Sequence, residues 1–66
     1  MSDLPLAPVE RIMKKAGIER ASPESVQELA DILEEIGTEI ARKASELAAF
    51  AKRKTVTDED VKLAAQ

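Results

Sequence analysis

The chain has 66 residues, of which 44% are hydrophobic and 35% charged, with a formal net charge of −3. A single chain of this length buries only about 60% of its unfolded surface on folding, so one small, marginal domain is the upper limit. Cys and His are both absent, which excludes disulfides and the common zinc sets and leaves oligomerisation as the expected staple.

Residues 5–16 read as a first helix. Pro5 and Pro8 fall in its opening turn, where the amides have no intrahelical partner and proline is tolerated. Leu6, Val9, Ile12, Met13 and Ala16 form an i, i+3, i+4 stripe, and Gly17 is placed as the left-handed stop. The second helix is expected over 23–51. Ser22 is a favourable N-cap, Pro23 suits the first helical position and Glu24 suits the helix dipole. Apolar or small residues then recur at Val26, Leu29/Ala30, Leu33, Ile36/Gly37, Ile40, Ala44, Leu47/Ala48 and Ala51. The span is about 40 Å at about 1.5 Å per residue, long for so small a domain. Thr57 and Asp60 make a capping-box pattern for a third helix over 58–65, backed by Val61, Leu63, Ala64 and Ala65. The connection before it is short, with Thr55-Val56 expected to be briefly extended.

Two short helices cannot enclose the seam of a long one. A second copy is therefore expected, with two long helices crossing over a dimer core of Val26, Leu29, Leu33, Ile36, Gly37, Ile40 and Leu47. Gly37 would allow close backbone approach at that crossing, which accounts for a mid-helix glycine that costs about 1 kcal/mol relative to Ala. The fold class is all-α, in one domain over 1–66.

The charges are segregated. Residues 24–46 carry seven acids (Glu24, Glu28, Asp31, Glu34, Glu35, Glu39 and Glu46) against Arg42 and Lys43. Arg11, Lys14, Lys15 and Arg20 face only Glu19 within 11–20, and Lys52, Arg53 and Lys54 are consecutive. Antiparallel crossing would gather the basic loops of the two chains into a positive ridge, the footprint of polyanion binding. Charge pattern alone leaves a merely solvated surface equally open, since Glu10/Lys14 and Glu39/Lys43 are ordinary helix-surface pairs. An enzyme is not expected, because the carboxylates lie at solvated-face spacing with no pocket to raise a pKa. Phe50 is the one aromatic, too few for a single-strand stacking platform. No apolar run approaches the roughly 18 residues of a membrane span, and no signal-peptide pattern is present. A soluble, intracellular protein without metal, cofactor or small-molecule substrate is expected.

"LPLAPVERIMKKAGIERAS", "LADILEEIG" and "RKTVTDEDVKLAA" resemble the archaeal histones, the minimal tail-less histone fold, from Leu4 to Ala65 in family order. The resemblance implies a handshake homodimer that binds double-stranded DNA non-specifically, wrapping and compacting it, on the chromosome in the cytoplasm. Arg11 would reach the minor groove near the dimer centre. Arg20 and Thr55 would form the paired-loop site at each end, with Lys54 on phosphate; Lys14, Lys15 and Lys52 complete the candidate DNA-facing set. Arg53 and Asp60 would form a structural salt bridge, and Gly17 would lie where gyres of wrapped DNA approach. Leu47, Phe50, Asp60 and Leu63 match the contacts by which dimers join into tetramers or fibres, and other histones are further implied partners. Two departures stand out: Phe50 replaces a common His, and Lys52 replaces the usual Gly. An alternative stays open, a histone-fold interaction subunit that heterodimerises with weak or no DNA binding.

Overall fold

The computed structural model describes residues 2–66, in which the regular elements are α1 (Leu6–Lys15), α2 (Pro23–Phe50) and α3 (Asp58–Ala64). Each helix end has a local cause. Pro5, expected inside α1, is instead its N-cap, with an extended ψ of 136°. Ala16 and Ala65 are C-caps rather than helical residues, and Ala51 lies in the turn after α2. At the start of α2 the Ser22 hydroxyl accepts a hydrogen bond from the Ser25 amide at 3.1 Å, which satisfies one of the four orphan donors of the first turn.

α1 ends in a Schellman motif. The Ile18 amide donates to the Met13 carbonyl at 3.0 Å and the Gly17 amide to the Lys14 carbonyl at 2.9 Å, with Gly17 at φ +91°. α2 ends in the same way. The Arg53 amide donates to the Ala48 carbonyl and the Lys52 amide to the Ala49 carbonyl, both at 2.9 Å. The left-handed position is here filled by Lys52, at φ +59°. A Cβ in that region crowds the following carbonyl and costs on the order of 1 kcal/mol. Thr55-Val56 remains irregular backbone, so the expected extended stretch pairs with no strand among the described residues.

Two compact units both draw on α2: Met1–Glu35 and Ile36–Gln66. In the first, Val9 and Met13 of α1 pack against Val26 and Ala30 of α2, with Leu29 and Leu33 half-buried beside them. The segment before α1 is tied to α2. The Ser2 amide donates to Asp31 Oδ1 at 2.6 Å and the Ser2 hydroxyl to Glu34 Oε1 at 2.8 Å. In the second unit the buried apolar residues are Ala44 and Ala48 of α2 and Ala64 of α3. Small side chains leave room for close helix approach but contribute little apolar area, and no large side chain among the described residues is fully buried. No described helix is long and apolar enough to cross a membrane.

Candidate nucleic-acid interface

In the first unit, α1 carries Arg11, Lys14 and Lys15 on exposed positions, the two lysines in its last turn. Arg20 lies in the connection to α2 and is also exposed. Arg20 and Lys14 border one surface depression of about 300 Å³, shared with Glu10, Ile18 and Glu19. Gly17 sits in the turn between them, and a Cβ built on it would meet nothing within 4 Å. Its requirement for glycine is thus conformational rather than steric.

In the second unit the loop is organised by Arg53 and Asp60. The guanidinium forks onto the carboxylate: Nη1 donates to Oδ2 and Nη2 to Oδ1, both at 2.8 Å. Arg53 Nη1 also donates to the Thr55 carbonyl at 3.0 Å. The capping box adds the Thr57 amide on Asp60 Oδ2 at 2.9 Å and the Asp60 amide on Thr57 Oγ1 at 3.4 Å. Asp60 is 6% exposed. The Arg53 hydrogen bonds first, then the Thr57 amide, hold its carboxyl well below the usual carboxylate range. This one side chain therefore fixes the loop backbone, starts α3 and occupies Arg53. Lys52, Lys54 and Thr55 stay exposed on the loop so braced.

The chain has ten Lys and Arg residues. Among the described residues, Arg42, Arg53 and Lys62 make ion pairs within 4.0 Å. All six candidate DNA-facing cations (Arg11, Lys14, Lys15, Arg20, Lys52 and Lys54) lie outside those pairs. Among the described residues no cluster of three or more His, Cys, Asp or Glu could hold a metal ion.

The seam residues divide. Val26 is 5% exposed, covered by α1 of its own chain, while Leu29, Leu33, Ile40 and Leu47 are half-buried. Ile36 is 52% exposed, and a Cβ added at Gly37 would meet nothing within 4 Å. Farther along, Leu47, Phe50 and Leu63 line an apolar depression of about 500 Å³ with Lys43 and Glu46 among its lining residues. Phe50 is 91% exposed and Leu63 56%. The clamp of Ser2 on Asp31 and Glu34 had no sequence signal, because it joins residues about thirty positions apart. The Ser2 amide, and then Gln27, lower the Asp31 pKa.

The family model for histone-like transcription factors (CBF/NF-Y) and archaeal histones matches residues 2–65. The chain belongs to this family. Its three helices are accordingly the histone fold, short, long and short. The chain is 50% identical over 64 residues to one of the HAN1 archaeal histone chains of Thermococcus zilligii, covering 97% of this chain and 96% of that protein. It is 56% identical over 64 residues to the probable archaeal histone 3 of Methanocaldococcus jannaschii, with the same coverage of 97% and 96%. Both relatives are histones by name, and the match runs through both basic clusters and the braced loop between α2 and α3.

Proposed function

We propose that this histone-family chain is an architectural chromatin protein and not an enzyme, a homodimer that binds double-stranded DNA without reading its sequence. It bends or wraps the duplex and compacts it on the chromosome. The observation that carries this reading is the set of six exposed cations that make no ion pair, on a chain whose long helix is otherwise acidic. Phosphates attract such cations, and Arg can also enter the narrow minor groove, where the field is most negative. Nucleosomal histones bind in this manner, with Arg at each inward-facing minor groove and no base-specific contacts.

The dimer is the handshake of two α2 helices. Its support is the apolar surface left on Ile36, Leu29, Leu33 and Ile40, together with open space at Gly37. In that dimer the Arg11 residues lie near the centre, and Arg20 of one chain meets Thr55 and Lys54 of the other at each end. Lys14 and Lys15 extend the ridge, and Gly17 leaves the first loop narrow where a neighbouring gyre passes. Dimers then join through the face of Leu47, Phe50 and Leu63. Asp60 supports that contact indirectly, since both its oxygens are engaged within the loop. Apolar burial takes the place of a polar bond there. The Thermococcus zilligii relative is by name one subunit of its histone, which makes other histones credible alternative partners.

Electrophoretic shift of a long duplex of mixed sequence tests the reading. Wild-type protein should shift it, with affinity falling steeply between about 50 and 200 mM salt. An Arg11→Ala/Arg20→Ala variant should remain folded and dimeric yet lose most of that affinity. Equal binding by the variant would refute the assignment, and no shift by the wild type would favour a heterodimerising interaction subunit.

A further inference from the structure

Lys52 is the one described non-glycine residue with positive φ, and it fills the position after α2 where glycine fits without cost. Strained backbone persists only where the surrounding structure holds it and clusters at functional sites, so the inference runs from the outlier to a function. The use is not an internal contact: Lys52 makes no ion pair among the described residues and its side chain is exposed. Its neighbour Arg53 is paired with Asp60, which offsets its charge and fixes its guanidinium. Of the three consecutive cations, Lys52 and Lys54 make no ion pair among the described residues.

We propose that Lys52 is a phosphate-contacting residue, and that its left-handed backbone is a stability cost borne to place an additional cation beside the paired loops. This rests on the DNA-binding reading above and deepens it. The acidic body gives the added charge its value: with a net charge of −3, long-range repulsion weakens DNA binding. Each extra phosphate neutralised steepens the dependence on salt. A competing explanation exists in the helix dipole, because a lysine at a helix C-terminus stabilises the helix itself. The two explanations predict opposite signs for stability.

The test compares Lys52→Gly, Lys52→Asn and Lys52→Arg with wild type, in thermal unfolding and in DNA binding across salt concentrations. Gly and Asn both accept the left-handed region without charge. Both should raise the unfolding midpoint while weakening binding by roughly tens-fold at about 100 mM salt, with a slope of log K against log salt shallower by about two per dimer. Lys52→Arg should match wild type in affinity and slope. A lower midpoint in Lys52→Gly would assign Lys52 to the helix dipole and overturn the proposal. So would unchanged affinity and slope in Lys52→Gly and Lys52→Asn while the Arg11→Ala/Arg20→Ala variant loses binding; that pattern leaves the DNA-binding reading intact. Absence of binding by the wild type would remove both.

Discussion

Ile36→Ala probes the surface proposed to pack against a second copy. Ile36 is 52% exposed in the protomer, so about half of its burial energy is still to be gained. Full burial of an Ile side chain is worth about 1.5–3 kcal/mol, which leaves about 0.8–1.5 kcal/mol per chain for the partner to supply. The two copies together give about 1.5–3 kcal/mol per dimer, and a residual cavity adds to that. At about 1.4 kcal/mol per tenfold, the variant dimer should dissociate at least about tenfold more readily. Sedimentation equilibrium measures this directly, and thermal unfolding at several protein concentrations checks it, because the midpoint of an obligate dimer rises with concentration. A variant with wild-type dissociation, or a wild type whose midpoint ignores concentration, would refute the handshake reasoning.

Other perturbations separate individual residues. Gly37→Ala should lower the unfolding midpoint, even though Ala is favoured in a helix interior by about 1 kcal/mol and its methyl would meet nothing within 4 Å in the protomer; a raised midpoint would place Gly37 on a free surface. Asp60→Asn should flatten the acid limb of the stability profile measured by denaturant titration. The folded-state Asp60 carboxyl titrates below its unfolded value, so its contribution is complete above about pH 5 and is lost as pH falls through and below about 4. An acid limb unchanged in that variant would exclude Asp60 as a stabilising group.

Punctuation made the helices legible. Pro5, Pro8, Gly17, Ser22, Pro23 and Thr57 mark ends by chemistry that acts within one turn, and the structure uses Gly17, Ser22 and Thr57 in those roles. The ends at Ala16, Ala51 and Ala65 came out one residue shorter, because alanine reads equally as a last helical residue or a cap. Spacing placed Val26 in the dimer core, whereas α1 of the same chain covers it. Periodicity reports a face, not the neighbour that occupies it. The left-handed backbone at Lys52 was illegible for a related reason. Residue type argued against that conformation, and the hydrogen bonds to Ala48 and Ala49 impose it. The Arg53–Asp60 pairing was implied by resemblance, whereas its link to the Thr55 carbonyl and Thr57 amide depends on loop geometry that only coordinates supply.

The chain belongs to the archaeal histone family, and the cation placement supports the contact surface proposed for its dimer. Nuclease digestion of DNA saturated with the protein tests that surface most directly. One inward-facing minor groove per about 10 base pairs, with contacts at the dimer centre and at both ends, gives about 30 base pairs per dimer. Protected fragments in multiples of about 30 base pairs are expected on unrelated sequences. Lengths beyond one dimer should disappear in Phe50→Ala, and all protection should disappear in the Arg11→Ala/Arg20→Ala variant. Digestion without any regular protected length, or protection that survives loss of both arginines, would contradict the proposed surface.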